Sequence, residues 1–535
     1  MNEIPVLIAG GGPVGMTLAR ALACRGISCM LVERNLQTTR HPKMDITNAR
    51  SMELFRQIGL EQSLRDVAVP EDHPLDVSWI TSLAGYELCR FRYPSVIESR
   101  EFIRIRNDGT QPCVPAMRVS QVVIEPVLKQ SIDSDPHVQV RFGVAFEDLA
   151  EDAEGVIVTL RDFQRGTERI RCRYLIGCDG GGSAVRAALK IGLSGTARVM
   201  PRFMTHFRSE ARPILQRWGI AWHYQSAAGT LIAQNDRDLW TLQSRLPPNV
   251  DASAVDPAGL VTAFAGQSFD FEILVANPWS PHLLLADSYG RGRVLLAGDA
   301  VHQYIPTGGY GMNTGVCDAF DLAWKLAAIL LGFGGPRLLE SYERERRPIG
   351  QRNLEASRRH NDVRVAIGSL YNSELEIAGP DGELARRRAA DKIKSLGNAE
   401  NESYGIELGY RYNDSPIICS VPQEEPENPS RYVPKAIPGA RLPNVFLADG
   451  KPLFDLLGPW FTLLAADPSA CETLVAAAQR RRMPLHVIAV NKPDFKSVYE
   501  APMILVRPDQ HVAWTGYSLD PVAAESVVSR ALGWI

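Results

Sequence analysis

The amino-acid sequence predicts an α/β fold that is divided into two or three domains. The chain has 535 residues, which is more than one hydrophobic core usually serves. Its first segment is a short apolar strand that turns at glycines, continues at helical spacing and ends in a second apolar strand. Two later apolar strands each end at an aspartate beside glycines. Repeated units of this kind indicate a largely parallel sheet that is covered by helices.

The composition is that of an ordinary globular protein. Hydrophobic residues make up 45%, charged residues 22%, and the formal net charge is -3, so no basic surface for nucleic acid is predicted. Nine cysteines show no C-x-x-C or zinc spacing, which favours reduced thiols and predicts no metal site. No stretch reaches the roughly 18 apolar residues of a membrane span, and no basic leader is seen. A cytoplasmic protein without a membrane or nucleic-acid partner is therefore expected.

The first glycine turn lies in "IPVLIAGGGPVGMTLARALACRGISCMLVER", a strand–helix–strand unit. Gly10, Gly12 and Gly15 supply G-x-G-x-x-G, which permits a tight turn, a close approach of a pyrophosphate to the backbone and close helix packing. Glu33, at the end of the second strand, is placed to accept hydrogen bonds from ribose hydroxyls. The unit predicts a Rossmann-like domain that binds a dinucleotide, although this step does not separate FAD from NAD.

Two later strand ends supply further candidate ligand contacts. "CRYLIGCDGGGSAVR" places Asp179 at a strand end, where its carboxylate either hydrogen-bonds a ligand or simply belongs to a turn. "RVLLAGDAVHQYIPTGGYGMNTG" brings Gly298 and Asp299 to the end of another strand, and a glycine loop then leads into a helix. The N–H groups at the start of that helix favour negative charge, such as that of a reduced flavin. One long ligand held from both ends accounts for both glycine turns.

The segments "GGGPVG", "CDGGGSAVR" and "GDAVHQYIPTGGYGMNTGVCDAFDLAWKLA" resemble, in order and spacing, the class A flavoprotein monooxygenases, the family of phenol and para-hydroxybenzoate hydroxylases. The resemblance covers roughly residues 4–348 and is greatest to the larger, RebC-like members, which carry an extra C-terminal domain. It implies non-covalently bound FAD, NADPH as a transient reductant and molecular oxygen as co-substrate. It also implies that an aromatic ring is hydroxylated through a flavin C4a-hydroperoxide.

The resemblance also assigns the residues that contact the cofactor. The ADP half would lie against the first glycine turn, the middle of FAD near the R-x-x-Q-x-x-x-E segment and the flavin along the second glycine loop. The candidate cofactor-binding residues are Gly10, Gly12, Gly15, Glu33, Arg34, Arg118, Gln121, Asp179, Gly298, Asp299, Pro306, Gly309, Gly311, Met312 and Asn313.

Asp45 is the candidate catalytic residue. A phenolate reacts more readily than a phenol, so a base beside the substrate hydroxyl is useful. In "HPKMDITNARSMELF", Asp45 stands five residues before Arg50, as the active-site aspartate does in the phenol hydroxylase motif. The alternative is that Asp45 caps, or lies in a turn before, a helix that starts near Asn48. His302 is a second candidate for a proton role, although a structural role is the more typical one in this motif.

The rest of the chain divides into a sheet domain and a small C-terminal domain. In the sheet domain, Trp222, Tyr224 and Trp240 are expected in the sheet core, the alternative being that they face an aromatic ligand. The turn from Asp509 to His511 is assigned no chemistry. The predicted boundaries are 1–191 for the first part of the FAD-binding domain, 192–288 for a substrate-binding β-sheet domain, 289–400 for the return of the FAD-binding domain with a helical region, 401–437 for a linker and 438–535 for a thioredoxin-like domain without C-x-x-C.

The sequence therefore predicts an FAD-dependent monooxygenase that consumes NADPH and hydroxylates a phenolic or related small aromatic compound. One alternative within the same fold is a Baeyer–Villiger or other oxidation of a polycyclic aromatic natural product. An alternative from another class is a binding protein that carries a flavin without turnover. The C-terminal domain is expected to serve packing or a homodimer contact.

Overall fold

The computed structural model describes residues 3–247, 250–419, 428–490 and 498–535. The strands are β1 Glu3–Ala9, β2 Cys29–Glu33, β3 Ile46–Thr47, β4 Val77–Ile80, β5 Glu87–Phe91, β6 Met117–Arg118, β7 Val138–Phe142, β8 Val144–Glu151, β9 Val156–Asp162, β10 Gly166–Gly177, β11 Leu193–Thr196, β12 Arg202–Arg208, β13 His223–Gln225, β14 Gly229–Ala233, β15 Leu239–Arg245, β16 Glu272–Trp279, β17 Leu283–Ala286, β18 Gly290–Arg291, β19 Val294–Leu296, β20 His302–Gln303, β21 Phe461–Ala465, β22 Leu485–Ala489, β23 Met503–Val506 and β24 Val512–Gly516.

The α-helices are α1 Pro13–Ala23, α2 Ala49–Gln57, α3 Glu61–Arg65, α4 Val96–Arg106, α5 Gln121–Asp133, α6 Ala184–Ala188, α7 Arg212–Leu215, α8 Pro257–Ala265, α9 Tyr310–Leu330, α10 Arg337–Gly368, α11 Pro380–Leu396, α12 Tyr404–Leu408, α13 Glu472–Arg480 and α14 Pro521–Ala531. Short 3-10 helices lie at Ala252–Ala254, Gly298–Ala300, Ser373–Glu376, Ala399–Asn401, Leu453–Leu456 and Pro468–Cys471. No helix in the described part of the chain combines the length and the apolar character that a membrane crossing requires.

The largest sheet brings the predicted strand ends together. Its order is β18-β19-β10-β1-β2-β7, and β8 and β9 extend it as an antiparallel hairpin from β10. β1, β2, β7, β10 and β19 run parallel, with Ala9 opposite Gly177 and Gly177 opposite Leu296. Because the carboxyl ends of parallel strands share one edge, the chain leaves β1, β10 and β19 side by side. The Rossmann-like fold predicted from the glycine turn is confirmed.

A second sheet, of order β16-β12-β15-β14-β13-β4-β5, forms the predicted β-sheet domain. One face packs on the core of α8 through Phe207, Tyr224, Trp240 and Leu242. The sheet is not confined to the predicted range 192–288, because two of its strands, β4 and β5, come from the segment 1–191. β4 joins it by pairing in parallel with β13, and such a pairing between distant segments leaves no local sequence signal.

The predicted linker, 401–437, is packed rather than extended where the structure describes it. It contains α12 and buries Ile406, Tyr410, Tyr412 and Ile417. These side chains lie against α10 and the C-terminal domain, as the hydrophobic clusters around Ile349 and Phe461 show. The central part of the predicted Pro-rich stretch, 420–427, lies outside the described residues.

The C-terminal domain has the β-α-β-β-α order of a thioredoxin-like fold. Its sheet has the order β22-β21-β23-β24, with β21 and β22 parallel and the other pairs antiparallel. Its core includes Trp324, Phe333 and Leu338, which belong to α9, the following turn and α10. The thioredoxin-like prediction is confirmed, and the domain shares a core with the helices that cover the main sheet.

The turn between β23 and β24 is buried and charged, unlike the plain turn that was predicted. Arg507 is fully buried and donates hydrogen bonds to Glu345 on α10 (2.6 Å), to Asp321 on α9 (3.0 Å) and to Asp509 (2.6 Å). Lys325 donates to both Asp321 and Glu345 at 2.6 Å. Because an unpaired buried charge is costly, this cluster fixes the C-terminal domain against both helices.

A second buried contact connects the C-terminal domain with α2. Arg441 forms two hydrogen bonds to the carboxylate of Glu53, and Arg50 donates to the side chain of Gln510 and to the carbonyl oxygen of Asp509. α2 begins four residues after Asp45. The C-terminal domain therefore supports the helix that follows the candidate catalytic residue.

Candidate functional site

The glycines of the first turn are required by the packing of the backbone. Gly10 has φ +114°, and a Cβ atom there would lie 2.3 Å from the carbonyl oxygen of Cys178. A Cβ atom at Gly15 would lie 2.0 Å from the carbonyl oxygen of Gly10. These two positions hold the ends of β1 and β10 and the start of α1 closer together than any other residue would allow.

Gly12 differs from these two glycines because the space beside it is open. A Cβ atom at Gly12 would meet no protein atom within 4 Å. Gly12 is also the N-cap of α1, and no side chain hydrogen-bonds to the N–H groups that begin this helix. An open cradle at an uncapped helix N-terminus fits a pyrophosphate. The first turn therefore has the form that the ADP half of a dinucleotide requires.

Glu33 and Arg34 follow β2 at the same edge of the sheet. The Glu33 carboxylate accepts hydrogen bonds from the backbone N–H of Gly11 (2.7 Å) and from the backbone and side chain of Asn35 (2.8 and 2.6 Å). Glu33 is partly exposed and Arg34 is exposed. The contact with Gly11 places the Glu33 carboxylate beside the cradle, as expected for a group that binds ribose.

Asp179 uses its carboxylate within the protein. It accepts hydrogen bonds from the Ser183 hydroxyl (2.5 Å), the Ala184 N–H (2.7 Å) and the Val185 N–H (3.2 Å). These bonds satisfy N–H groups at the start of α6. The structure therefore places Asp179 in the turn that was the alternative interpretation, although its backbone lies next to Gly10. A ligand contact by Asp179 stays a prediction.

Asp299 lies at the end of β19, beside the second glycine loop. Its side chain is open to solvent but lies on the floor of a cleft, where protein atoms surround most of it. The loss of hydration that these atoms cause raises the pKa of the carboxyl, and the charges of His302 and Lys43 act in the opposite direction. The preceding Gly298 has φ +66°, and a Cβ atom there would come within 2.9 Å of Val14 on α1. The first turn and the β19 end are therefore in direct contact.

The second glycine loop ends at α9. Gly309, with φ +66°, is the N-cap of α9, and no side chain caps the N–H groups of the first turn of the helix. The Gly309 N–H donates to the carbonyl oxygen of Pro306 (3.1 Å). A Cβ atom at Gly311 would lie 3.9 Å from Asp299, and Met312 is partly buried beside it. These N–H groups and the Asp299 carboxylate thus face the same cleft.

Asn313 joins α9 to the segment that carries Asp45. Its side-chain oxygen accepts from the Asn48 N–H (3.0 Å), and its amide group donates to the carbonyl oxygens of Ile46 (3.2 Å) and Gly309 (2.7 Å). Asn313 is buried. Three bonds from one side chain therefore fix the Asp45 segment to the second glycine loop.

Asp45 projects between this segment and the sheet domain. Its Oδ2 atom accepts a hydrogen bond from Trp222 Nε1 (2.6 Å) and lies 3.3 Å from His223 Nε2, and 19% of its side chain is exposed. Burial alone would raise the pKa of Asp45. The interactions with His223, the bond from Trp222 and the charge of Arg118 outweigh it and hold the pKa below its ordinary value.

The helix-cap interpretation of Asp45 is wrong, because Asn48 is the N-cap of α2. The Asn48 side chain accepts from the Ser51 N–H at 2.9 Å. The prediction that a helix starts near Asn48 is confirmed. Nothing in the sequence pattern indicated that Trp222 and His223 would be the partners of Asp45, since they follow it by more than 170 residues.

Arg118 and Gln121 lie on the other side of the Asp45 segment. Arg118 is opposite Ile46 in the pairing of β3 with β6, and its guanidinium donates to the carbonyl oxygen of Ala233. Burial lowers the pKa of Arg118 to about 10, with the Asp45 charge acting in the opposite direction. Gln121 donates to Glu125 at 2.7 Å. Arg118 is therefore a charged neighbour of Asp45 as well as a candidate cofactor contact.

The remaining candidates are mostly structural. Tyr224 and Trp240 belong to the core beneath α8, which confirms the packing interpretation for them, whereas Trp222 reaches Asp45. His302 is fully buried and lies 2.8 Å from Asp318, as expected of a structural histidine. Within the described ranges, no group of three or more His, Cys, Asp or Glu residues is arranged to hold a metal ion.

Comparison with known families gives two matches that together cover most of the chain. The family described as "FAD binding domain" matches residues 3–357. The family described as "Aromatic-ring hydroxylase, C-terminal" matches residues 435–534. The first match contains every candidate cofactor-binding residue, and the second matches the thioredoxin-like domain.

Two curated relatives match over almost the whole chain. The FAD-dependent monooxygenase apdD of Emericella nidulans is 36% identical over 574 residues, which cover 100% of this chain and 91% of the relative. Phenol 2-monooxygenase of a Pseudomonas species is 30% identical over 574 residues, covering 98% of this chain and 91% of the relative.

Two solved structures have the same fold over the full length. RebC soaked with chromopyrrolic acid, with bound 7-carboxy-K252c, superimposes with a TM-score of 0.91 at 32% identity, covering 100% of this chain and 99% of RebC. The flavin-dependent monooxygenase PieE in complex with FAD and substrate gives a TM-score of 0.88 at 27% identity, covering 99% of both chains.

Proposed function

Because the chain belongs to the family of FAD-dependent aromatic-ring hydroxylases, we propose that it hydroxylates a phenolic or related aromatic compound with NADPH and molecular oxygen. It is an FAD-dependent aromatic-ring monooxygenase. The observation that carries the choice of substrate is the position of Asp45, an ionised carboxylate at the junction of the cofactor cleft and the sheet domain.

The residues of the cleft fit FAD. The open cradle at Gly12 would hold the pyrophosphate, Glu33 the adenosine ribose, Asp299 the ribityl or ribose oxygens, and the N–H groups after Gly309 the flavin. The support for this assignment is the pair of uncapped helix N-termini at α1 and α9, which face one edge of the sheet. Gly10, Gly15 and Gly298 would act by bringing the backbones together.

The bound flavin supplies the redox chemistry that transfers one atom of molecular oxygen to the ring. The protein contributes position, exclusion of water and control of one proton. The sheet domain covers the cleft beside Asp45 through β13 and β14. Asn313 fixes the Asp45 segment to the second glycine loop, so the carboxylate keeps its place relative to the flavin-binding residues.

Asp45 would accept a hydrogen bond from the hydroxyl group of the substrate. Its Oδ2 atom is already bonded to Trp222 and lies near His223, so we assign the substrate contact to Oδ1. A carboxylate in this place draws the hydroxyl proton away from the ring oxygen and raises the electron density of the ring carbon that is attacked. Because its pKa is lowered, Asp45 is ionised at neutral pH and available for this role.

The alternative of a Baeyer–Villiger or other oxidation of a polycyclic aromatic natural product is not favoured, because a relative that matches almost the whole chain is named as a monooxygenase of phenol. The alternative of a flavin carrier without turnover is not favoured for the same reason. The cytoplasmic location and the homodimer stay proposals. All nine cysteines are unpaired, which is typical of a reducing compartment, and light scattering of the purified protein would give the subunit number.

Anaerobic reduction of the flavin tests the proposed function. NADPH is mixed with the FAD-loaded protein in the presence of phenols, hydroxybenzoates, naphthols and larger fused aromatics, and the loss of flavin absorbance is followed. We expect a substrate-like aromatic to accelerate the bleaching. If NADPH never bleaches the bound flavin, with or without an aromatic compound, the proposal is contradicted.

A further inference from the structure

The face of the second sheet that is turned away from the α8 core carries a pair of arginines at one end. Arg202 on β12 lies directly opposite Arg245 on the neighbouring antiparallel strand β15. On β15 the core side chains are Trp240 and Leu242, so Thr241, Gln243 and Arg245 point to the other face. Two cationic side chains therefore project side by side from the same face.

No acidic side chain among the described residues neutralises this pair. The charged neighbours of Arg202 are Arg245 and Arg364, and Arg364 is also a charged neighbour of Arg245, which lies near the neutral phenol of Tyr371 as well. Within the described structure, the Arg245 guanidinium donates one hydrogen bond, to the backbone carbonyl oxygen of Arg364 (3.5 Å), and its Nε atom is buried without a partner. Arg364 itself is paired with Glu400 through two bonds of 2.8 and 2.9 Å.

This arrangement is unfavourable for the protein alone. Both arginines are partly buried, and like charges directly opposite each other on neighbouring strands repel. Burial, followed by the charges of Arg245 and Arg364, lowers the pKa of Arg202 to about 10, so it remains a cation at neutral pH. A paired carboxylate or phosphate would remove the repulsion and bind both planar guanidinium groups through two bonds each.

The pair lies on the same sheet face as the partner of Asp45. His223 is opposite Ile232, Ile232 is opposite Thr241, and Arg245 stands four residues beyond Thr241 on the same strand. Two strand spacings and four residues of strand correspond to about 16 Å between the backbones of His223 and Arg245. Part of this distance is spanned by the arginine side chains, and the rest matches an aromatic compound longer than one ring.

We infer that Arg202 and Arg245 form an oxyanion-binding site that holds the acidic group of an extended aromatic substrate whose hydroxylated end lies at Asp45. This inference rests on the proposed function and specifies its substrate class: an aromatic hydroxyl at one end and a carboxylate, or another oxyanion of the same geometry, at the other. Arg364, on α10, lies beside the pair and donates a hydrogen bond to Thr230 on β14 (3.4 Å). A phosphate group of the reducing nucleotide has the same chemistry and is the second source of such an oxyanion.

The test compares two ligands that differ only in the acid. 6-Hydroxy-2-naphthoate and 2-naphthol are titrated into the FAD-loaded protein by calorimetry, for the native chain and for Arg202→Gln, Arg245→Gln and Arg208→Gln. Arg208 is the matched control, since it lies on the same strand but is paired with Asp238 and Glu272. The native chain should bind the naphthoate about 10- to 100-fold more tightly than the naphthol.

Arg202→Gln and Arg245→Gln should each abolish most of that preference, and Arg208→Gln should keep it. If instead these two variants raise the KM for NADPH and leave the naphthoate preference unchanged, the oxyanion is the phosphate of the nucleotide. If neither quantity changes, the site does not exist. Melting without ligand shows that the variants are folded, since removing one of two repelling charges should not lower the Tm.

Failure of the proposed function looks different. In that case neither 6-hydroxy-2-naphthoate nor 2-naphthol binds to the native chain, and neither accelerates flavin reduction by NADPH. The oxyanion site alone would be contradicted by three results together. Both ligands bind the native chain equally tightly, both accelerate the reduction of its flavin, and the KM for NADPH is unchanged in both arginine variants.

Discussion

At the residue scale, the proposed reaction depends on one carboxylate, that of Asp45, and on the groups that hold it. The motif around Asp45 and the glycines of the two turns could be predicted from the sequence, because each is a local pattern that encodes a backbone shape. The partners of Asp45 could not, because Trp222 and His223 reach it only through the docking of the sheet domain. Asp179 shows the reverse case, a predicted ligand contact whose carboxylate is used by α6.

Replacing Asp45 by Asn should reduce product formation about 100-fold or more, the usual contribution of a positioned proton acceptor. The amide keeps the size of the side chain and its bond from Trp222 but has no negative charge. FAD content should be unchanged, because Asp45 is not among the cofactor-binding residues. Steady-state kinetics and the flavin spectrum measure both quantities, and unchanged turnover would exclude Asp45 from the reaction.

Replacing Trp222 by Phe should move the acid limb of the kcat/KM profile to higher pH. The bond from Trp222 Nε1 is one of the interactions that lower the pKa of Asp45, so its loss raises that pKa. Asp45 is then protonated at a higher pH than in the native chain, so activity falls earlier as the pH is lowered, while activity at neutral pH is unchanged.

Trp218→Phe is the matched control for this pH profile. Trp218 Nε1 donates to the carbonyl oxygen of Leu83 in the same domain (3.1 Å) and has no contact with Asp45 in the described structure. An acid limb that shifts equally in both variants, or in neither, would contradict the role given to Trp222.

Gly12→Ala and Gly10→Ala should fail in different ways. A methyl group at Gly12 meets no protein atom within 4 Å, and Gly12 has φ -78°, so the variant should fold with an unchanged Tm in the apo form. The methyl group would fill the cradle and weaken FAD binding at least tenfold. At Gly10 the methyl group would meet the Cys178 carbonyl at 2.3 Å at φ +114°, so that variant should lose stability itself. Apoprotein melting and FAD titration distinguish the two, and tight FAD binding by Gly12→Ala would contradict the cradle.

At the element scale, the turn between β23 and β24 joins the C-terminal domain to the rest of the molecule, a role that the sequence did not indicate. As a short polar segment between two apolar strands, it has the pattern of an exposed turn. In the structure, Asp509, Gln510 and His511 are buried between α2, α9 and α10. Arg50 on α2 donates to Gln510 and to the carbonyl oxygen of Asp509, and Arg507 of the same turn donates to Asp321 on α9 and Glu345 on α10. These helices lie far away in the chain, so only the tertiary fold shows the pairing.

Replacing Arg507 by Met should lower the free energy of unfolding by about 3–5 kcal/mol, because it leaves buried carboxylates with too few cations. Three carboxylates, those of Asp321, Glu345 and Asp509, bond to this one guanidinium. Arg480→Met is the control, since Arg480 pairs with Glu525 at an exposed position and should change stability by about 1 kcal/mol or less. Urea unfolding measures both, and equal effects would mean that the buried cluster stabilises the protein no more than a surface pair does.

At the scale of the whole molecule, three units act on one cleft. The main sheet supplies the edge where β1, β10 and β19 end. The second sheet contributes Trp222 and His223, and the C-terminal domain supports α2 and α9. The α/β class followed from alternating strand and helix patterns, and the thioredoxin-like ending from the resemblance to the larger members of the family. Two features could not be predicted: that β4 and β5 join the second sheet, and that the C-terminal domain shares a core with α9 and α10. Pairing between distant segments leaves no periodic pattern in the sequence.

Isotopic labelling of molecular oxygen tests most directly whether the protein hydroxylates an aromatic ring. The FAD-loaded protein is incubated with NADPH and the aromatic that best accelerates flavin reduction, under an atmosphere of ¹⁸O₂, and the product is weighed by mass spectrometry. We expect an aromatic product that contains one ¹⁸O atom, in a new hydroxyl group on the ring. Consumption of NADPH with all of the labelled oxygen recovered as hydrogen peroxide, and no labelled product, would contradict this expectation.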